Sequence, residues 1–245
     1  MLFGIMILFF CGIALLWHLD PQPASPPVIE ASFLLGYGAF FLLCSLFFLS
    51  ARPARYPFWD GRFFMSLHWW LALICVAFTA AHIGLFTLAQ PLVLAYLHWG
   101  ASPPMQAGFL GALAVLLCWL LSLTRPLRAV CYQNARSFRV VHGVLAEAAL
   151  LLAAYHVIAT RFHVNHFLKV ALLLAVTSIC AITPIIRRVV LEAPVARRPE
   201  QPHGQKRRKV SVHLALIVCA VFLLMCLAAL GFETEGWFSQ GQSHP

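Results

Sequence analysis

The sequence predicts an all-α membrane protein, a helical bundle with about seven transmembrane helices. Of its 245 residues, 62% are hydrophobic and only 10% are charged, whereas a soluble domain of this length needs far more polar surface. Apolar stretches of about 20 residues, the length that crosses a bilayer, recur along the whole chain. These observations exclude an ordinary soluble domain and predict that the surroundings of the chain are a lipid bilayer.

Seven spans are expected, separated by connectors that are rich in proline and glycine. The first span lacks the basic start and the small-residue cleavage site of a signal peptide, so we expect it to remain as a helix. The expected spans are 1–18, 31–50, 63–90, 105–124, 138–160, 166–190 and 210–231.

The basic residues predict the orientation of the chain in the membrane. Fifteen of the seventeen Lys and Arg residues fall in the second, fourth and sixth connectors, which lie on one side, and only Arg161 and Lys169 lie on the other. Basic residues mark the cytoplasmic side. We therefore expect a multi-pass protein of the cytoplasmic membrane with its N-terminus inside and its C-terminus outside. The net charge of +9 is explained by this distribution and gives no reason to expect a nucleic acid partner.

The cysteines exclude two kinds of redox chemistry. The chain has eight of them, most within apolar stretches, and no two are spaced as CxxC. A dithiol redox motif or a thiolate metal site is therefore not expected. No CxxCH occurs either, which excludes covalent attachment of a c-type haem.

Two histidine pairs share one spacing. "HWWLALICVAFTAAH" runs from His68 to His82 and "HGVLAEAALLLAAYH" from His142 to His156. Fourteen helical residues turn through about 1400°, some 40° short of four full turns, and rise about 21 Å. Both members of a pair therefore face nearly the same way, one near each membrane boundary. Because the two spans run parallel, His68 and His142 share the cytoplasmic level, and His82 and His156 share the outer level.

Such an arrangement predicts two stacked sites in which a macrocycle lies between two imidazoles, as in a bis-histidine di-haem cytochrome. Polar residues inside a membrane are costly and usually functional. The alternative is a metal-ion transporter or channel that uses the intramembrane histidines. Bare metal sites usually want three or more clustered ligands, and transporters often have inverted repeats or broken spans, which are not evident here.

The stretches "LSARPARYPFWDGRFFMSLHWWLALICVAFTAAH" and "RSFRVVHGVLAEAALLLAAYH" resemble the ferric reductase-like transmembrane domain family. That family includes NADPH oxidases, ferric reductases and the haem-binding membrane subunit of a bacterial methionine sulfoxide reductase system. The resemblance covers about residues 31–190. It implies a six-helix core and electron passage across the membrane. It also implies two b-type haems with His68, His82, His142 and His156 as the axial ligands of the haem iron.

Three features depart from the family pattern. Trp69 follows the first histidine, where family members often have a basic residue, and a seventh span is present. No GxGxxG and no flavin-binding or nucleotide-binding domain follows the sixth span. The expected division of the chain is a first helix with its outer loop at 1–30, the di-haem domain at 31–190, a basic cytoplasmic loop at 191–209, and an additional helix with an outer tail at 210–245.

Several polar residues near the membrane boundaries are further candidates. Arg62, Arg139 and Arg161 are placed to pair with anionic haem propionates, although the general placement of basic residues inside also explains the first two. His98, His163 and His166 fall at the outer face, where they can bind a metal ion or contact an acceptor, or serve simply as polar loop residues.

The resulting hypothesis is a di-haem b-type membrane cytochrome, an oxidoreductase component that moves electrons across the cytoplasmic membrane. It is either a ferric reductase-like protein or the haem subunit of an oxidoreductase. We expect a separate electron donor on the cytoplasmic side, a flavoprotein or a quinol, because hydride chemistry needs a nucleotide or flavin site. The acceptor outside is another protein or ferric iron.

Overall fold

The computed structural model describes residues 25–50, 61–97, 100–123 and 135–186, and all the regular secondary structure in this part of the chain is helical. Its five α-helices are long and apolar enough to cross a membrane. They are α1 (Pro27–Ser50), α2 (Gly61–Ala89), α3 (Pro103–Leu123), α4 (Ala135–Thr160) and α5 (Phe167–Ile186). The prediction of an all-α, multi-pass membrane protein is confirmed. The expected spans at 1–18 and 210–231 and the basic loop at 191–209 lie outside the described residues.

Proline and capping residues set where these helices begin. Pro27 is the first residue of α1, and the amide of Glu30 donates to the Pro26 carbonyl at 3.2 Å. The sequence prediction started this helix four residues later because it treated the prolines as breakers. Proline is in fact favoured at the first helical position, where its missing N–H has no partner to lose. Pro103 begins α3 in the same way, after Ser102.

The helices form two antiparallel hairpins. In the described residues, α1 packs chiefly on α2 and α3 chiefly on α4, while α5 packs on α1 and α4. By contrast, α2 and α4 make little direct backbone contact with each other. A space filled by side chains therefore separates the two helices that carry the four histidines.

Helix α1 lies in the interior of the bundle. In its most apolar stretch 67% of the residues are buried, compared with 17–22% in the other four helices. Its buried Phe40 and Phe41 belong to a core that also includes Leu71 of α2, Leu150 of α4 and Cys180 of α5. The exposed large apolar side chains are concentrated on α2 to α5, as expected for helices that face lipid.

Threonine hydroxyl groups within the spans are satisfied by their own helix. Thr79 donates to the Cys75 carbonyl at 2.9 Å, and Thr177 donates to the Leu173 carbonyl at 2.7 Å. A hydroxyl that donates to the carbonyl four residues earlier avoids an unpaired polar group in hydrocarbon. These residues therefore need no functional explanation.

Candidate functional site

The structure places the predicted histidines on α2 and α4. His68 and His142 face each other with their ring centroids 6.3 Å apart and their planes inclined by 61°. His82 and His156 lie fourteen residues further along the same two helices. Each helix thus contributes one imidazole to each of two levels. We refer to His68 and His142 as the inner pair and to His82 and His156 as the outer pair.

The separation of the inner pair fits two ligands on one metal ion. A metal lies about 2.0–2.1 Å from an imidazole nitrogen, and that nitrogen lies about 1.1 Å from its ring centre. Two rings that bind one ion from opposite sides therefore have centres about 6.3 Å apart. The ring centroids of His68 and His142 are 6.3 Å apart, which agrees with this value.

In the outer pair, a backbone carbonyl of α1 holds His82. The Nδ1 atom of this ring lies 2.7 Å from the Ser32 carbonyl oxygen. The Ser32 hydroxyl lies 3.0 Å from the same nitrogen and donates to the His82 carbonyl at 3.0 Å. Because a carbonyl oxygen only accepts hydrogen bonds, the ring carries its proton on Nδ1, and the lone pair of Nε2 is available for a ligand.

His156 is held in the same way by the other hairpin. Its Nδ1 atom donates to the Pro104 carbonyl of α3 at 2.8 Å. Histidines that bind metals usually donate their second ring N–H to a carbonyl or carboxylate, which fixes the tautomer and raises the basicity of the ligand nitrogen. Both outer imidazoles therefore have the hydrogen bonding of metal ligands.

The inner pair is held less completely. The His68 ring has the backbone of Leu46 as a hydrogen-bond partner. The Nδ1 atom of His142 is buried and has no hydrogen-bond partner among the described residues. The carbonyl of Cys118, at the matching level of α3, accepts the hydroxyl of Ser122 at 2.6 Å instead.

The three predicted arginines each lie within six residues of a predicted histidine along the chain. Arg62 lies in the first turn of α2, six residues before His68, and its side chain is outside the described part of the structure. Arg139 is exposed one turn before His142. Arg161 is exposed just after α4, with a left-handed φ of 58°. Their role toward an anionic group remains a prediction.

Two of the three candidate histidines at the outer face have structural roles. His163 is buried, and its Nε2 atom lies 2.9 Å from a Glu30 carboxylate oxygen. His166 accepts the Leu168 amide at 3.2 Å in the first turn of α5. The third, His98, lies outside the described residues. The pairing of Glu30 with His163 joins the loop after α4 to the start of α1.

The sequence prediction missed the carbonyl partners of the histidines. Ser32 and Pro104 contribute through their backbone, and a backbone carbonyl is present at every position, so it carries no sequence signal. Glu30 was also missed. It is a carboxylate at the start of an apolar span, where helix N-termini commonly have acidic residues, and nothing local indicates that His163 returns to meet it.

Comparison with known protein families finds a match for the segment that contains three of the four histidines. Residues 35–153 match the family described as ferric reductase like transmembrane component. This segment is similar to a ferric reductase-like transmembrane domain. The resemblance predicted from the sequence is confirmed. The match includes His68, His82 and His142 and ends three residues before His156.

Searches of curated proteins and of solved structures found no match. The ferric reductase-like domain comprises most of α1, all of α2 and α3, and most of α4. The match is typical of a membrane redox component. The domain does not by itself identify the cofactors, the electron donor or the electron acceptor.

Proposed function

We propose that the chain is a di-haem b-type cytochrome that moves electrons across the cytoplasmic membrane. The main observation behind this proposal is that α2 and α4 each contribute one imidazole to each of two levels. The 6.3 Å separation of the inner pair and the Nδ1 hydrogen bonds of the outer pair both support it. In this proposal His68 and His142 bind one haem iron, and His82 and His156 bind the other.

Haem, when bound, supplies reversible one-electron chemistry at iron. The chain's own contribution is to hold four neutral imidazoles with Nε2 available. The carbonyls of Ser32 and Pro104 keep the protons of the outer rings on Nδ1. Lipid-facing apolar side chains on α2 and α4, such as Met65, Trp69 and Leu151, keep water away and lower the local dielectric.

The arginines are proposed to bind the propionates of the haems. Arg62 and Arg139 precede the inner histidines by six and three residues, and Arg161 follows His156 by five. Guanidinium groups bind carboxylates through two parallel hydrogen bonds. This role predicts that Arg161 acts on the outer site and that Arg62 and Arg139 act on the inner one.

The orientation and the partners follow from the charge of the connectors. Placing the basic connectors inside puts His68 and His142 near the cytoplasm, so electrons enter there from a separate flavoprotein or from a quinol. They leave near His82 and His156, to an extracytoplasmic protein or to ferric iron. We propose that residues 31–190 form this electron-transfer core.

Metal-ion transport is the less favoured function. Among the described residues, no group of three or more His, Cys, Asp or Glu side chains is placed to hold a bare ion. A haem iron that is bound by two imidazoles needs no further protein ligand, because the macrocycle supplies the others. A transported ion needs more than two protein ligands. The ferric reductase-like domain also favours redox chemistry over transport.

The test is the haem content and the spectrum of the purified full-length chain. We expect two haems per chain by pyridine haemochrome assay and low-spin b-type bands that sharpen on reduction. NAD(P)H alone should not reduce the protein, whereas a quinol or an added flavin reductase with NAD(P)H should. A colourless protein obtained from haem-replete cells would overturn the proposal.

A further inference from the structure

Two glycines lie directly against the outer histidines. A Cβ atom added at Gly36 of α1 would lie 2.9 Å from Nδ1 of His82, and one added at Gly108 of α3 would lie 2.7 Å from Nδ1 of His156. Separations below 3.0 Å are too short for a carbon to occupy. No side chain other than the hydrogen of glycine therefore fits at either position while the ring stays in place.

Helix geometry explains why glycine is needed at these positions. Gly36 follows Ser32 by four residues, and Gly108 follows Pro104 by four. In an α-helix every Cα–Cβ bond leans toward the N-terminus, so a side chain covers the turn that precedes its own Cα. A residue at i+4 therefore covers the carbonyl of residue i. Glycine at i+4 leaves that carbonyl open, and its second lone pair can accept an N–H from another helix.

The same device occurs independently in both hairpins. Ser32 and Gly36 hold the ring on α2, and Pro104 and Gly108 hold the ring on α4. Different residue types provide the two carbonyls, while the glycine and its four-residue offset are common to both. Chance packing does not explain two identical arrangements on opposite sides of one site.

The inner level shows what happens where the glycine is absent. Fourteen residues after Pro104, Cys118 lies level with His142, and the residue four positions further on is Ser122. The hydroxyl of Ser122 donates to the Cys118 carbonyl, and the Nδ1 atom of His142 has no partner among the described residues. On α3 the side chain at the i+4 position thus takes up the carbonyl. On α1 the corresponding carbonyl is that of Leu46, which partners His68 although Ser50 follows it by four residues, so the glycines at the outer level matter chiefly for the close approach of the rings.

We propose that Gly36 and Gly108 are positioning residues for the outer site. Each opens a helix carbonyl that fixes the tautomer and the direction of one axial imidazole. This inference rests on the proposed function, because it concerns the ligands of the outer haem. It adds to that function two residues that act through the rings of His82 and His156 and that decide where these rings point.

The first test compares Gly36→Ala and Gly108→Ala with Gly84→Ala. Gly84 lies on α2 two residues after His82, and a Cβ atom added there meets nothing within 4 Å. We expect Gly36→Ala and Gly108→Ala each to lose or convert the outer low-spin haem signal, with haem content falling from two toward one per chain. The inner haem signal should persist. Gly84→Ala should retain two haems and an unchanged spectrum.

A second test measures the fit between glycine and ring through thermal stability, without reference to haem. Removing the ring removes the clash, so Gly36→Ala should lower the thermal stability of the chain in the wild-type background and not in the His82→Ala background. The same cycle applies to Gly108→Ala with His156→Ala. Alanine is otherwise a better helix former than glycine. We therefore expect the double variant, with both the glycine and the histidine replaced by alanine, to be at least as stable as the variant that lacks only the histidine.

The outcomes separate the two claims. A wild-type chain without haem would end the proposed function, while the stability cycle would still report whether the glycines make room for the rings. A chain with two haems whose outer signal is unchanged in both glycine variants would overturn this inference alone. So would a stability loss of the same size in the presence and absence of the histidine ring, since the glycine would then act on packing in general.

Discussion

The outer and inner histidine pairs differ in how the backbone around them holds the rings. At the outer level, both His82 and His156 donate to a helix carbonyl that a glycine leaves open. At the inner level, His68 has the Leu46 backbone as a partner, and His142 has none among the described residues. Two histidine pairs with the same spacing in the sequence are thus held unequally by the backbone. Sequence spacing alone does not determine how the surrounding helices hold a ring.

The largest expected effect comes from removing single ligands. His82→Ala and His156→Ala should each abolish the outer low-spin signal, and His68→Ala and His142→Ala the inner one, because one imidazole cannot keep the iron six-coordinate. Haem content should fall from two to about one in every variant. Electron paramagnetic resonance and pyridine haemochrome assays check this.

This experiment also tests whether His68 pairs with His142 and His82 with His156. If His82→Ala removed the same signal as His142→Ala, the levels would be crossed. If any of the four variants kept both signals, that histidine would not be a ligand. His166→Ala is a suitable control, because His166 is exposed and accepts a backbone amide at the start of α5.

The next effect is a difference in retention between the two sites. Loss of a hydrogen bond behind a metal ligand typically costs about 10–100-fold in metal affinity. We therefore expect haem to leave the inner site at least about tenfold faster than the outer one. Transfer of haem to excess apomyoglobin, followed in single-site variants such as His68→Ala and His82→Ala, measures both rates. Equal rates would show that anchoring at Nδ1 does not distinguish the sites.

A smaller effect is expected from Ser122→Ala. Removing this hydroxyl frees the Cys118 carbonyl for His142, so the inner site should lose haem more slowly, by about fivefold if one hydrogen bond contributes about 1 kcal/mol. Ser122→Thr keeps a hydroxyl at this position and should behave as the wild type. Faster loss in the alanine variant would contradict this account of the inner level.

The smallest effect is expected from Ser32→Ala. The substitution removes the hydroxyl that lies 3.0 Å from His82 Nδ1 but keeps the carbonyl that holds the ring. We expect two haems per chain, a slight shift of the outer signal and a stability loss of about 1 kcal/mol. Ser45→Ala is the matched control, because the Ser45 hydroxyl donates to the Phe41 carbonyl within α1. Loss of the outer haem in Ser32→Ala would show that the hydroxyl, and not the carbonyl, is the anchor.

The sequence was sufficient to predict the five described spans and the pairing of His68 with His142. Periodicity and apolar length report helices directly, and the fourteen-residue spacing reports which positions share a face. The start of α1 was placed too late because Pro27 can either break or begin a helix, and local sequence does not decide between these. The anchors could not be predicted, since the carbonyls of Ser32 and Pro104 depend on which helix packs against which.

Glycine positions were visible in the sequence but could not be interpreted. Gly36 and Gly108 are only two of the fourteen glycines in the chain, and glycine is common in membrane helices for several reasons. Their meaning comes from the contact with a ring on another helix. The pairing of Glu30 with His163 has the same origin, since it joins residues 133 positions apart.

The division of the site between two hairpins has a consequence for biogenesis. Helix pairs can associate in the membrane before a bundle is complete, so each hairpin can set the direction of its own outer histidine soon after insertion. In the proposed cytochrome, delivery of the cofactor would then add a link between α2 and α4 to two prepared halves that already share a core with α5. In cells starved of iron or porphyrin, the halves would lack the ligand that stabilises their union. Such chains would be cleared by membrane proteases, and the amount of protein would follow the supply of haem.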